Sequence, residues 1–161
     1  MTPQQALARL QVQCSKCELC SGQVRKRLHR WNMAQQQKGM PGLSLQQMEE
    51  ILDSLIKEKF VDDFRFAGAY VRDKARFSGW GAAKIAYNLK GLGVSDDVAA
   101  AALEENKECF GSDLLEKILE KKWNSIKTDI PLQKKREKVL RFALGRGFQY
   151  AQIMDVIKTL R

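Results

Sequence analysis

Residues 62–94 read DDFRFAGAYVRDKARFSGWGAAKIAYNLKGLGV, and this stretch decides the fold. Two segments of helical character flank a glycine-rich break at residues 78–81. In the second segment Ile85, Leu89 and Leu92 recur at the three- and four-residue spacing of a single helix face. The segment closes on Gly-Leu-Gly, where glycine can supply the left-handed residue that ends a helix. The stretch therefore predicts two helices joined by a glycine turn.

The first of these helices has a competing interpretation. Phe64, Phe66 and Tyr70 also fit the two-residue period of a strand. The alanine-rich surroundings favour a helix, and so do Asp62 and Asp63, because acidic groups suit the positive end of the helix dipole.

Helical periodicity continues on both sides of this stretch, and no convincing hairpin signal interrupts it. Ser44, with Gln47 three residues later, has the pattern of a capping box. Ser95 and Ser112 are expected to start two further helices. The glycines and proline of residues 32–43 predict a long loop. The sequence thus predicts an all-α fold.

Part of the pattern occurs twice. A shift of 54 positions places Lys84 on Lys138 and Gly93 on Gly147, and it also aligns apolar positions: Ile85 with Val139, Val94 with Phe148, Ala99 with Ile153 and Leu103 with Ile157. Residues 23–56 resemble a third copy with a longer loop. We therefore expect three tandem three-helix repeats in an elongated, curved arrangement. The expected units are residues 1–60 with loop 32–43, residues 61–108 and residues 109–161.

Charge follows the same period. The chain has a net charge of +9, and the segments 1–43, 44–63, 64–93, 94–116 and 117–161 carry +6, −4, +5, −6 and +8. A solvated charged surface would explain any one segment. Their recurrence once per unit predicts one basic face along the body, directed at a polyanion with its own repeat.

Cys14, Cys17 and Cys20 stand at C-x-x-C-x-x-C spacing, which resembles part of an iron–sulfur sequence. No Cys-Pro follows, Cys109 is distant, and His29 is the only histidine. On one helix these positions share a face, so thiols packed against a core explain the spacing equally well. We prefer the second interpretation and expect no metal and no cofactor.

Catalytic and membrane functions are poorly supported. The chain lacks a phosphate-binding P-loop, a G-x-S-x-G elbow and an H-E-x-x-H zinc motif. It also lacks a membrane-length apolar run and a signal-peptide pattern. We expect a cytoplasmic, monomeric protein that is not an enzyme.

Residues 55–105 resemble the RecX family of recombination regulators, most strongly in the middle unit. The family pattern is an apolar segment ending in Asp, an Arg-Phe-Ala triplet, basic residues, a glycine, and a helix closing on Leu-x-x-x-Gly-Ile. The corresponding parts here are Phe60 to Asp63, Arg65-Phe66-Ala67, Arg72 to Arg76, Gly79 or Gly81, and Leu89 through Gly93-Val94. The long loop and the cysteine cluster depart from the pattern.

The resemblance implies a regulator in recombination, DNA repair and the SOS response. It would bind the filament of a RecA-type recombinase on single-stranded DNA and suppress ATP hydrolysis and strand exchange. Direct contact with single-stranded and also double-stranded DNA is implied for some members. The alternative is a sequence-independent DNA-binding protein with helix-turn-helix-like units, although no helix offers a clear set of base-reading side chains.

Two sets of residues follow from these arguments. The candidate basic face comprises Arg25, Lys26, Arg27, Arg30, Arg72, Lys74, Arg76, Lys84, Lys90, Lys134, Lys135, Arg136, Lys138, Arg141 and Arg146. The structural motif comprises Asp63, Arg65, Phe66, Ala67, Trp80, Gly81, Ile85, Leu89 and Gly93.

Overall fold

The computed structural model describes all residues from Met1 to Arg161. It contains nine α-helices and no strand, so the predicted all-α fold class is confirmed. None of the helices is both long enough and apolar enough to cross a membrane. A short 3-10 helix, Lys107–Phe110, joins the sixth α-helix to the seventh. The α-helices are α1 (Pro3–Lys16), α2 (Ser21–Gln37), α3 (Leu45–Lys57), α4 (Asp63–Arg76), α5 (Ala82–Leu92), α6 (Asp96–Glu105), α7 (Ser112–Ser125), α8 (Leu132–Gly145) and α9 (Tyr150–Ile157).

Side-chain caps fix where several helices begin, at the residues that the sequence predicted. Ser44 Oγ accepts a hydrogen bond from the Gln47 N–H at 3.1 Å, and Gln47 Oε1 accepts one from the Ser44 N–H at 2.9 Å. Ser95 caps α6 through a backbone N–H of its first turn. Asp62 Oδ1 accepts the Arg65 N–H at 3.0 Å and starts α4. These bonds satisfy donors that have no partner inside the helix.

Helices α3, α6 and α9, the third helix in each successive group of three, begin with the same apolar contact. A buried side chain stands directly before the N-cap residue, and a second buried side chain lies in the first turn and a half of the helix. This arrangement is a hydrophobic staple, which fixes the angle at which the chain enters a helix. The pairs are Leu43 with Met48, Val94 with Ala99 and Phe148 with Ile153.

Apolar side chains form three separate cores, one for each successive group of three helices. Leu55 is fully buried in the first core, Leu89 in the second and Leu119 in the third. The accessible surface is 10271 Å². A compact protein of 18.4 kDa would expose about 8,200 Å². Because the chain exposes about a quarter more, the three tandem three-helix repeats form an elongated body.

The 54-residue shift seen in the sequence relates equivalent positions of the second and third groups. Gly93 and Gly147 both adopt left-handed backbone conformations, with φ of 95° and 91°. Ile85 and Val139 are both fully buried on the corresponding middle helices. The sequence similarity therefore reflects one structural unit used twice.

Adjacent groups meet through their middle helices, which are α2, α5 and α8. The first turn of one middle helix contacts the end of the next one. Gly22, in the first turn of α2, lies so close to Gly93 that a Cβ on Gly22 would stand 2.5 Å from the Gly93 Cα. A Cβ on Gly93 would stand 2.7 Å from the Gly22 Cα. Beside them, Cys20 Sγ donates to the Leu92 carbonyl at 3.4 Å. Only glycine permits this approach of two backbones.

The second junction repeats this contact one unit further along. Gly81 is the N-cap of α5, and its N–H donates to the Arg146 carbonyl at 2.6 Å. Arg146 precedes the left-handed Gly147 as Leu92 precedes Gly93. A Cβ on Gly147 would stand 2.5 Å from the Lys84 backbone nitrogen. Hence both junctions join an N-cap residue to the carbonyl before a left-handed glycine.

The predicted loop over residues 32–43 was wrong in its first half, because α2 continues to Gln37. The segment Ala34–Gln37 consists of alanine and glutamine, which are good helix formers. The chain turns at Gly39, whose φ is 67°. The connection between α2 and α3 is therefore shorter than composition suggested.

The expectation that Cys14, Cys17 and Cys20 share one helix face was also wrong. Helix α1 ends at Lys16 and α2 begins at Ser21, so the cysteines lie along a helix end and a turn. Cys20 N–H donates to the Gln23 side chain at 3.1 Å, which closes a capping box at the new helix start. Of the three thiols only Cys20 is buried.

Replacing Gly22 by Ala is expected to lower the free energy of unfolding by about 1–3 kcal/mol, because the new methyl group collides with the Gly93 backbone. Guanidinium unfolding followed by circular dichroism at 222 nm measures this loss.

The matched control is Gly91→Ala. Gly91 lies in α5, and a Cβ there meets nothing within 4 Å. This variant should gain up to about 1 kcal/mol from helix propensity. Equal stability changes in the two variants would contradict the role assigned to the glycine contact.

Candidate functional site

The first unit uses much of its positive charge internally. Arg25 forms a two-pronged ion pair with Glu49, with Nε–Oε1 and Nη2–Oε2 distances of 2.9 and 3.1 Å. This hydrogen bonding holds the pKa of the Glu49 carboxyl below its ordinary value. Arg27 Nη1 donates to the Gln13 side chain at 3.0 Å. Arg30 is exposed and takes part in no ion pair.

Lys26 contributes to the junction with the second unit. Its Nζ donates to the Gly91 carbonyl, 2.9 Å away near the end of α5. Lys90, on the same helix, lies 3.8 Å from Asp96, and both side chains are largely exposed. An ion pair this open to water contributes little stability and leaves the lysine accessible.

Arg72 faces inward rather than outward. Its Nη1 donates to Asn106 Oδ1 at 3.1 Å, and Asn106 Nδ2 donates to the Ala102 carbonyl at 2.8 Å. Asn106 is buried, so the arginine satisfies a polar group that water does not reach. Of the predicted basic residues on α4, only Arg76 lines a groove together with residues of the third unit.

Two lysines lie against Trp80. Lys74 Nζ is 4.7 Å and Lys84 Nζ is 4.5 Å from the centroid of the indole ring. Both distances are within the range of cation–π attraction. Trp80 is half-buried, so the pair of ammonium groups is held at the surface.

Hydrogen bonds and a close contact hold the turn between α4 and α5 against the third unit. Arg146 Nη1 donates to the Ser78 carbonyl at 2.6 Å, while the Arg146 carbonyl accepts the Gly81 N–H. Gly79 has φ of 62°, and a Cβ there would stand 3.0 Å from Ile118 Cδ1 on α7. Phe77, at the start of this turn, is 86% exposed.

A groove of about 610 Å³ lies at this second junction. Its apolar walls come from Phe77, Trp80, Leu114, Ile118 and Phe142. No aspartate or glutamate lines it, and none of its basic residues forms an ion pair. The basic residues are Arg76, Lys121, Lys122 and Arg146.

A shallower depression continues from the groove along α8. It shares Lys122 and Phe142 with the groove and adds Lys138 and Arg141. Lys122 Nζ and Arg146 Cζ are each 5.0 Å from the centroid of the Phe142 ring. We call the groove and this depression together the junction groove; it presents six cations and no carboxylate.

The remaining predicted cations of α8 are placed differently. Lys134 is exposed, whereas Lys135 packs over Trp123, with Nζ 4.3 Å from the ring centroid. Arg136 is half-buried, and its Nε is buried without a hydrogen-bond partner. The predicted basic face is therefore uneven, and its densest uncompensated part is the junction groove.

Comparison with known proteins identifies the family. Residues 62–103 match the family model described as RecX, second three-helix domain, and residues 112–157 match the model of RecX, third three-helix domain. Together these matches cover more than half of the chain. This chain belongs to the RecX family.

The RecX relatives extend the match. A Clostridium tetani protein named "Regulatory protein RecX" is 31% identical over 118 residues, which cover 70% of this chain and 52% of that protein. A protein of the same name from Clostridium botulinum (strain Alaska E43 / Type E3) is 29% identical over 149 residues, covering 91% and 68%. The chain thus spans about half the length of the first of these relatives. Their name is that of a regulatory protein and not of an enzyme.

The fold is that of RecX crystal structures. The structure of RecX from Lactobacillus salivarius has a TM-score of 0.82 and 22% identity to this chain, and covers 98% of this chain and 96% of its own. A second RecX crystal structure gives the same TM-score at 20% identity. The third unit, where the sequence resemblance rested mainly on periodicity, is thus matched in both sequence and fold.

The RecX motif residues at the start of α4 tie the second unit to the first. Asp63 accepts two hydrogen bonds from Ser21, one from the backbone N–H at 2.7 Å and one from the hydroxyl at 2.5 Å. It thus caps α2 although it lies 42 residues further along the chain. Arg65 forms an ion pair with Glu18, at 2.8 and 3.2 Å, and donates to the Lys59 carbonyl.

The apolar members of the RecX motif lie in the core of the second unit. Ile85, Leu89 and Ala67 are fully buried, and Phe66 is nearly so. Gly81 and Gly93 are the junction glycines described above, and Trp80 carries the two lysines. The motif residues thus contact the core, the junctions and the edge of the groove.

Two groups of residues in the junction groove were missed by sequence reasoning. Lys121 and Lys122 come from α7, a helix whose net charge is small. Phe77 and Phe142 were not singled out as site residues, since the spacing of Phe77 places it near the apolar face of α4. The spacing could not reveal that Phe77 faces solvent, although the Ser-Gly pair that follows it is a usable signal that the helix ends there.

No three His, Cys, Asp or Glu side chains are grouped so that they could bind a metal ion. Burial raises the pKa of the Cys20 thiol, and the Asp63 carboxylate adds to the shift. Burial, together with Cys17, also raises the pKa of Cys14. A raised pKa leaves less thiolate at neutral pH, and therefore lowers reactivity.

We expect the four thiols to react in a defined order with a disulfide reagent such as DTNB at pH 8. The exposed Cys17 should react first and the buried Cys20 last, because Cys20 is both inaccessible and protonated. Single Cys→Ser variants assign the kinetic phases, and unfolding in guanidinium should bring the rates together. A Cys20 that reacts as fast as Cys17 in the folded protein would contradict this placement.

Proposed function

We propose that this chain regulates a RecA-type recombinase by binding along its filament on single-stranded DNA and slowing ATP hydrolysis and strand exchange. Membership of the RecX family supports the regulatory role, and the family resemblance implies the filament as partner. The observation that carries the proposal is the junction groove, whose six cations face no carboxylate. Such a surface is suited to phosphates or to the acidic surface of a partner protein.

The elongated shape supports a bridging mechanism. Residues 1–60, 61–108 and 109–161 would act as three linked units, each able to reach a different part of a repeating partner. Linked contacts strengthen one another, because the second contact forms at the high effective concentration set by the first. A rigid body that bridges successive recombinase subunits would oppose the rearrangements that hydrolysis and strand exchange require.

The junctions supply the rigidity that such bridging needs. The first unit is tied to the second by Arg65 with Glu18 and by Asp63 with Ser21. The second is tied to the third through Arg146. We propose that the chain acts as a cytoplasmic monomer, without a cofactor and without catalysis of its own.

DNA-stimulated ATP hydrolysis by the recombinase tests the proposal directly. Adding this chain at a substoichiometric ratio should lower the rate, because one elongated molecule contacts more than one subunit. If the rate does not change although the chain binds bare DNA tightly, the sequence-independent DNA-binding alternative replaces filament regulation.

Reversing charge in the junction groove should weaken filament binding. The double variant Lys138→Glu/Arg141→Glu removes two exposed, unpaired cations and is expected to lower affinity by at least about tenfold, since repulsion replaces attraction at two contacts. Pull-down of the recombinase filament at several salt concentrations measures the loss, and circular dichroism checks helicity.

The matched control is Lys38→Glu/Lys57→Glu. It changes the net charge by the same amount as Lys138→Glu/Arg141→Glu, but on the first unit and away from the junction groove. Both lysines are exposed and form no ion pair. This variant should retain most of the affinity. Equal losses in the two double variants would show that overall charge, and not the junction groove, governs binding.

A further inference from the structure

We propose that the junction groove is a binding site for single-stranded nucleic acid, in which the Phe77 ring stacks on one base while the surrounding cations hold the neighbouring phosphates. The inference deepens the proposed function and rests on it for the encounter with single-stranded DNA. It adds a specific aromatic contact, which neither charge nor family membership supplies.

Phe77 combines the exposure of a stacking platform with a backbone that is held in place. The ring is 86% exposed, the largest exposure among the chain's large apolar side chains. Its own N–H donates to the Asp73 carbonyl at 2.8 Å and caps the end of α4. The following residues are held by the Arg146–Ser78 hydrogen bond and by the close approach of Gly79 to Ile118. Because the backbone that carries the ring is already held, stacking of a ligand has to order only the side-chain torsions of Phe77.

The charge around Phe77 fits a phosphate chain. Arg76 directly precedes Phe77 in the sequence, and Lys121, Lys122 and Arg146 line the same groove. Lys138 and Arg141 extend the row along α8. A positively charged groove beside exposed aromatic side chains is the usual arrangement in proteins that bind single strands without sequence preference.

The Phe77 ring favours single-stranded nucleic acid over two other polyanions, namely duplex nucleic acid and an acidic protein segment. The bases of an intact duplex are stacked on one another, so their faces cannot reach Phe77 without unstacking. An acidic protein segment would satisfy the cations, but its carboxylates offer no flat face for the ring. Single strands provide both phosphates and free base faces.

A second exposed phenylalanine, Phe64, lacks the purely cationic surroundings of Phe77. Phe64 is 44% exposed at the start of α4 and lines a different groove. That groove contains Asp62 and Asp63 as well as Arg25 and Lys59. Because carboxylates repel phosphates, Phe64 is a poor platform for nucleic acid and a good control for Phe77.

The test is fluorescence anisotropy of a labelled 12-nucleotide oligothymidylate with the full chain and no recombinase. Phe77→Ala should lower affinity by about tenfold, the scale of one lost stacking contact. Phe64→Ala should leave affinity unchanged, and Phe77→Trp should preserve it. Phe77 is so exposed that its replacement removes almost no core packing, and circular dichroism verifies the fold.

Two further measurements separate stacking from charge. An abasic oligomer of equal length should bind the unsubstituted chain and Phe77→Ala equally, because it has phosphates and no bases. The Lys122→Gln variant should reduce the slope of log affinity against log salt by about 0.7, the value for one phosphate on a single strand. Phe77→Ala should leave that slope unchanged.

The inference is overturned if Phe77→Ala binds oligothymidylate as tightly as the unsubstituted chain, or if Phe64→Ala loses as much. It is also overturned if polyglutamate of matched charge competes as well as oligothymidylate, since the groove would then fit an acidic protein segment. These outcomes do not depend on the recombinase. Failure to inhibit ATP hydrolysis would count against the proposed function alone.

Discussion

The close contact between middle helices is the constraint on which the rest of this RecX structure depends. At each junction the N-cap residue of one middle helix donates to the carbonyl that precedes a left-handed glycine on the next. Cys20 donates to Leu92 through its sulfur, and Gly81 donates to Arg146 through its backbone. Because a side chain of any size would separate the helices, the glycines set both the spacing and the orientation of the units.

The placement of charge follows from these junctions. Several arginines of the predicted basic face pair internally or satisfy buried groups, as Arg25 does with Glu49 and Arg72 with Asn106. Uncompensated cations collect where the second and third units meet, because α7 and α8 both present basic side chains there. Six cations thus share one groove, and no carboxylate lines it.

Local signals predicted much of the fold, because they act within a few residues. Capping residues such as Ser44 and Ser95, the left-handed glycines and the apolar periodicity determined the fold class, the repeat and several helix starts. The start of α2 escaped prediction because part of its capping comes from Asp63, which is 42 residues away from Ser21 in sequence. The end of α2 escaped because glutamines beside a glycine-rich stretch give no clear stop.

The candidate site could be predicted only in outline. Charge composition indicated a polyanion and pointed to Lys138 and Arg141, but it could not separate free cations from those that pair internally. Exposure of Phe77 depends on where α4 ends and on which side of the turn the third unit docks. Both features depend on tertiary contacts, which the sequence pattern does not specify.

The three separate cores bear on how the chain folds during its synthesis. Apart from Cys20 in the second core, each core is built from about 50 consecutive residues, and contacts between residues close in sequence form quickly. The first unit cannot be completed alone, however: the cap of α2 comes from Asp63, and Cys20 packs into the core of the second unit. The first and second units therefore reach their final form only after the unit that follows each of them has emerged from the ribosome, so their maturation lags synthesis by one unit.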